Sequence, residues 1–379
     1  MLGRSAISRV GGGFVRTLAA TLLLTSLAFA QDQEFWSKAR VVYCGPPDRK
    51  QELMLRIGPS QLRDKKTAPQ GITDYRYLSV GYGVDPTLPT RLGLRFQVWD
   101  TEPSEGGSRS EKAARLLTRI WDFNVKKLHL DHGQNYNYVV DVYFSPEGKA
   151  GGEQRMDNEL YKGGVRLVNT IYLYKFEEII KPIEMVREIA HEYGHASLPP
   201  VGGFKTPEDW ANGFLGERLF MLWLFDAYRR GEIGPEDVFG ATQQDFVDYL
   251  KSNVQPLVQK VLDQGPDFKL LAGTGGQAMN EYLGLVLFAE GTYSPEAFLR
   301  TLQQSGENAL SYEKAMHTAL AGDKKFVMRT ASMIGKKIWV PISGGKIAAG
   351  AKLIKESRGW AQVEVTGKEV EITLPPPKA

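Results

Sequence analysis

Two of the five histidines in this 379-residue chain, His191 and His195, lie four residues apart in "VREIAHEYGHASLPPVGG", and Glu192 directly follows the first. Four residues is about one helical turn, so on a helix both imidazoles share a face and can reach one metal ion. Glu192 then stands beside that face, where a carboxylate can hold a water molecule and take its proton. The implied chemistry is hydrolysis by an activated water. The surroundings suit a buried helix, since Ile189, Ala190, Tyr193, Gly194 and Ala196 are uncharged and Pro199-Pro200 would stop it. The plainer alternative is a core helix whose two imidazoles are satisfied by hydrogen bonds.

With "HEYGH" the sequence resembles the zinc-binding helix of the zincin metallopeptidase superfamily, over that helix and the one after it. The resemblance implies zinc (Zn2+) held by His191 and His195, with Glu192 as general base in peptide hydrolysis. It also narrows the branch. A metzincin would carry Gly three residues and His or Asp six residues beyond His195, where Leu198 and Val201 stand. A gluzincin takes its third ligand from a Glu in the next helix, and "EDWANGFLGERLF" offers Glu217 and Glu208, 22 and 13 residues after His195. Familiar gluzincins often carry an Asp four residues after that Glu to orient a histidine, but here Met221 occupies the place, leaving Asp209, Asn212 or Asp226 for the role. A peptide deformylase would need a nearby upstream Cys, and Cys44 is far from His191.

Glu217 is the expected third ligand. A helix starting near Thr206 would carry it several turns in, rigidly, and the short loop "SLPPVGGFK" favours adjacent, roughly antiparallel helices. Gly213 and Gly216 would let those helices approach closely. Glu208 and Asp209 would fall in the first turn, where the helix dipole explains acidic residues without a metal. Glu208 and Asp209 remain the alternatives.

Other reactive residue types have weaker patterns. His317, in "SYEKAMHTAL" with Tyr312 nearby, is a possible transition-state stabiliser, although a lone histidine on a helix is more often structural. His129, Asp131 and His132 could suggest a second metal, but they follow a helix C-terminus, where cationic side chains suit the dipole. Cys44, the only cysteine, reads as the end of a buried strand, and it excludes an intramolecular disulfide framework. The aromatic run "RLFMLWLFDAYRR" places Leu219, Leu222 and Trp223 at helical spacing and reads as core.

The elements that must position these residues fall into three stretches. Residues 31–179 mix short strands ("RLGLRFQVWD", "YNYVVDVYFS", "VNTIYLYKF") with an amphipathic helix capped at Ser110, whose apolar stripe is Ala113, Leu116, Leu117, Ile120 and Trp121. Residues 180–326 form a helical, zinc-binding lobe with Ser or Thr followed by Pro at several helix starts, as at Thr206 and Ser294. Residues 327–379 form a small antiparallel β module, with Val363, Val365, Val370, Ile372 and Leu374 alternating with polar neighbours. The fold class is α+β: a zincin-like domain, a helical lobe, and the β module.

Residues 1–30 have Arg4, Arg9 and Arg16 ahead of the uncharged run "TLAATLLLTSLAFA", closing on Ala28 and Ala30. This is the pattern of a secretory signal peptide, too short to span a bilayer, and it predicts an exported protein beginning at Gln31. Those residues hold three of the 47 basic groups and no acidic one, so the rest carries 44 of each sign. A neutral chain without a basic stripe argues against nucleic acid as a partner. The expected partner is a peptide or protein substrate, with no membrane span in the mature chain. The alternative function is a non-catalytic exported binding protein of zincin-like fold, acting on a surface partner or glycan. The general base argues against it, because zinc binding alone has no need of Glu192.

Overall fold

The computed structural model describes residues 42–43, 55–72, 74–85, 88–102, 108–132, 139–161, 163–321 and 323–375. The signal-peptide stretch and Cys44 lie outside the described residues.

The frame is a seven-stranded mixed sheet in the order β1-β2-β3-β4-β5-β7-β6. Its strands are β1 (Val42–Tyr43), β2 (Leu55–Lys66), β3 (Tyr75–Asp85), β4 (Leu88–Asp100), β5 (Val140–Ser145), β6 (Gly151–Tyr161) and β7 (Gly164–Tyr174). β4, β5 and β7 run parallel to one another, and the remaining pairs are antiparallel. β6 is therefore an antiparallel edge strand following a parallel one, and this edge borders the site.

Helix α1 (Arg109–Phe123) packs on one face of the sheet. Its cap is Ser108, whose hydroxyl accepts from the Glu111 N–H at 3.1 Å, two residues before the Ser110 expected from sequence. Ser110 is buried instead and hydrogen-bonds to Ser79 and Ser108. The expected apolar stripe is entirely buried. Each large side chain in it contributes about 1.5–3 kcal/mol by leaving water. His129 ends this region in the left-handed conformation, with φ 52°.

The eight further α-helices among the described residues are α2 (Pro182–Ser197), α3 (Asn212–Arg229), α4 (Gln243–Asn253), α5 (Gln255–Gln264), α6 (Phe268–Leu271), α7 (Gly276–Thr292), α8 (Pro295–Gln303) and α9 (Ala309–Leu320). Ser294 caps α8 ahead of Pro295, as the sequence suggests. The start of α3 differs from expectation by six residues: residues 199–211 form a loop, and Thr206 caps nothing. Backbone donors there serve long-range bonds, from Gly202 to the Glu307 carbonyl at 3.0 Å and from Lys205 to the Thr274 carbonyl at 2.7 Å. Ala211 N–H closes the loop on the Val201 carbonyl at 2.8 Å. Glu208 thus sits on a tethered loop and not in a first helical turn.

The C-terminal module consists of two three-stranded antiparallel sheets. They comprise β8 (Lys325–Arg329), β9 (Lys337–Pro341), β10 (Lys346–Ala349), β11 (Ala351–Ser357), β12 (Trp360–Val365) and β13 (Glu369–Thr373). Val363, Val365, Val370, Ile372 and Leu374 all face inward. Trp360 packs against Phe288 of α7, and one hydrophobic cluster runs from Leu55 to Leu374. Sheet, helices and β module accordingly share a core.

Candidate metal centre

The site begins with the contact between α2 and α3. Pro182 occupies the first turn of α2, where a missing N–H costs nothing, and Leu198 ends the helix ahead of the two prolines. Val186, Ile189, Ala190 and Tyr193 bury one face completely. On another face three glycines remove the spacing that side chains would impose. A Cβ on Gly216 would lie 2.4 Å from the Gly194 Cα, and one on Gly194 would lie 2.5 Å from the Asn212 carbonyl. The helices run antiparallel, so Gly216 meets Gly194 while Glu217 meets Arg187 and His191. The close approach expected from Gly213 and Gly216 is present.

This packing points the two Nε2 atoms at one place. Glu208 reaches them from the loop, with Oε1 at 3.0 Å from His191 Nε2 and Oε2 at 3.1 Å from His195 Nε2. His191, His195 and Glu208 each offer one ligand atom within 4.8 Å of the others, and they are the only such group among the described residues. Three observations fit a cation here. The donor set is two imidazoles and a carboxylate, which is chemically suited to zinc. Glu208 Oε2 is buried and accepts no hydrogen bond of workable geometry despite the nearby imidazole. Gly213 leaves the space clear, since a Cβ there would lie 2.2 Å from His195 Nε2 and 2.7 Å from His191 Nε2.

The electrostatics agree. Burial disfavours a charged His191, yet hydrogen bonds to Glu208 and Glu217 outweigh it and carry its pKa up to about 10. Burial opposes ionisation of Glu208 as well, but the two imidazoles hold its carboxyl down at about 2. Carboxylates on both sides of the imidazoles thus favour positive charge at this point.

Glu217, the third ligand expected from sequence, lies outside that group. Its Oε2 lies 3.3 Å from His191 Nδ1, on the ring nitrogen that points away from the cluster. Oε1 accepts from the Tyr249 hydroxyl at 2.5 Å, and Arg187 donates to Oε2 at 3.3 Å. Burial raises the Glu217 pKa, but these donors and Arg218 pull it below the usual carboxylate range. The reason for the displacement is the late start of α3. Glu217 falls little more than one turn into the helix, level with the back of His191, while the loop brings Glu208 to the front.

Asn212 holds the other ring, its Oδ1 accepting from His195 Nδ1 at 2.9 Å. Among Asp209, Asn212 and Asp226, Asn212 is therefore the residue that orients a histidine, as outer partners of metal ligands do. Tyr249 and Arg187 were missed by sequence reasoning. Arg187 had a signal, lying four residues before His191 on the same helical face; Tyr249, from a separate helix, had none.

Glu192 is buried beside the two histidines. Burial raises its pKa, the neighbouring imidazoles partly offset this, and the result is about 7. It packs beneath the edge strand, where a Cβ on Gly152 would come within 2.5 Å of its Cγ. A carboxyl with this affinity for a proton is suited to taking one and giving it back.

The remaining candidates lie elsewhere. Both ring nitrogens of His317 are engaged at 2.8 Å, Nδ1 with Ser343 Oγ and Nε2 with Glu313, and its ring lies against Trp360 of the β module. His129 is exposed, Asp131 pairs with Arg95 at 2.9 Å, and His132 meets the Tyr193 hydroxyl at 2.9 Å. These three form no metal-holding group. No protein-family model matches this chain, and a search of curated proteins also finds no match. No described helix is long and apolar enough to cross a membrane.

Proposed function

We propose that this protein is an exported zinc-dependent peptidase of zincin type, with His191, His195 and Glu208 holding the metal and Glu192 as general base. The observation that carries this reading is the convergence of the two Nε2 atoms and the Glu208 carboxylate at one point, with the Glu192 carboxyl buried alongside. Zinc bound there would polarise a peptide carbonyl and make water acidic enough to be deprotonated near neutral pH. Glu192 accepts that proton and delivers it to the departing amine, a shuttle favoured by its pKa of about 7. Glu217 and Asn212 fix the imidazole rings by engaging their Nδ1 atoms, leaving both Nε2 atoms to face forward. The outer edge of β6, unpaired among the described residues and above Glu192, supports an extended peptide as substrate, because such an edge can pair with a second backbone. Export and removal of residues 1–30 rest on the leader-like pattern of that segment.

The test is peptide turnover by purified mature protein with one equivalent of zinc, followed by chelation and zinc readdition. Loss and recovery of cleavage support the reading. Cleavage unaffected by complete zinc removal rules it out.

A further inference from the structure

We infer that the cavity beside His195 is a side-chain subsite that selects a large neutral residue with a hydrogen-bond donor at its tip, tyrosine above all, and that Gln154 is the residue reading it. This rests on the peptidase reading above. The cavity, of about 360 Å³, opens between β6 and the C-terminal end of α2 and includes His195 in its wall. About 150 Å³ holds a benzene ring, so an aromatic side chain fits with room for its substituent.

β6 connects the cavity to the catalytic centre. Its residues alternate between faces: Glu153 and Asp157 turn to Tyr174 and Tyr172 on the far side, while Gly152 stands over Glu192. Gln154 and Met156 share the face of Gly152 and line the cavity. A peptide extended along this edge with its scissile bond above Glu192 therefore places a flanking side chain over the cavity. Leu130, Met156, Leu198, Pro199 and Pro200 supply apolar walls, and among the described residues no carboxylate or basic side chain other than His195 lines it. An ionised substrate side chain would enter without a counter-charge.

The polarity of the cavity is fixed from behind. The Ala196 carbonyl can only accept, so Asn169 must present its Nδ2, at 3.1 Å. Asn169 Oδ1 is thereby left to accept, and Gln154 donates Nε2 to it at 2.9 Å. Gln154 Oε1 is then an acceptor with no partner among the described residues. The other polar side chains in the wall are already committed. Ser197 donates to the Tyr193 carbonyl and accepts from Asn124, and both ends of the Asn212 amide are bonded around His195. One uncommitted side-chain acceptor beside these apolar walls matches a phenol, whose ring packs on Leu130, Met156 and the prolines and whose O–H donates.

The test uses zinc-loaded protein and peptides that differ at one residue flanking the scissile bond. Tyrosine is expected to exceed phenylalanine about tenfold in kcat/KM, a modest factor because the cavity is open to water, with lysine and glutamate poorest. Gln154→Leu should bring the ratio of tyrosine to phenylalanine cleavage down to about one, whatever it does to the absolute rates. A second readout is calorimetric binding of 4-hydroxybenzyl and benzyl hydroxamates, which needs no turnover. Equal use of tyrosine and phenylalanine by the parent, or a tyrosine preference that survives Gln154→Leu, overturns the inference and leaves the peptidase reading standing. Hydroxamate discrimination without any peptide cleavage supports the subsite and sinks the peptidase reading instead.

Discussion

Glu208 and Glu217 differ in a way that two substitutions can separate. The Glu217 carboxylate is 3% exposed and accepts from Tyr249, Arg187 and the His191 ring. Glu217→Ala strands those donors. The Arg187 guanidinium is partly exposed and can rehydrate, but Tyr249 and His191 are buried, and a buried donor without a partner costs about 1–3 kcal/mol. The protein should therefore lose on the order of 3 kcal/mol of stability even without metal. Zinc affinity should fall by roughly 10–100-fold, the usual effect of removing an outer partner, which is about 1.4–2.8 kcal/mol. Glu208 has the opposite profile. Its side chain is 36% exposed on a loop, so Glu208→Ala strands only the buried His191 Nε2 and should cost metal-free protein about 1 kcal/mol, less than Glu217→Ala. Zinc affinity should fall by more than about 100-fold, because an anionic ligand is removed and not merely its support. The assay is zinc titration against a competing chelator, with thermal unfolding of each metal-free variant. If Glu208→Ala bound zinc within tenfold of the parent while Glu217→Ala lost it at unchanged stability, the assignment drawn from the geometry would be refuted.

Glu192→Gln should retain zinc and lose hydrolysis by about 10²–10⁴-fold, since an amide can hold water but cannot take its proton; parental turnover would remove Glu192 from the mechanism. Gly213→Ala should abolish zinc binding by placing a methyl 2.2 Å from His195 Nε2, whereas Gly216→Ala should chiefly lower the melting temperature, because its methyl meets the Gly194 backbone at 2.4 Å. Both are read by zinc titration and calorimetric unfolding, and an unchanged melting temperature for Gly216→Ala would contradict the tight helix contact. N-terminal sequencing of secreted protein should begin at Gln31, and recovery of an intact chain in the membrane fraction would replace export with anchoring.

Sequence alone determined whatever depends on near neighbours along the chain. The His191–His195 face follows from helical period, as do the buried stripe of α1 and the Ser294 cap of α8. Strand alternation placed Val363 and Val365 inward for the same kind of reason. Gly213 and Gly216 were also legible, because an absent side chain marks a close approach whichever partner fills it. The tertiary structure decided which acidic residue meets the histidines. That choice depends on where α3 starts, and its start is fixed by bonds from the 199–211 loop to Glu307 and Thr274, about seventy to a hundred residues away in sequence. No local pattern encodes them, so the Thr206-Pro207-Glu208 signature read as a helix start when the chain uses it as a tethered loop. The roles of Tyr249, Gly152 and the Gln154–Asn169 amide pair were decided in the same way, since each acts on a residue that only the assembled sheet and helices bring beside it.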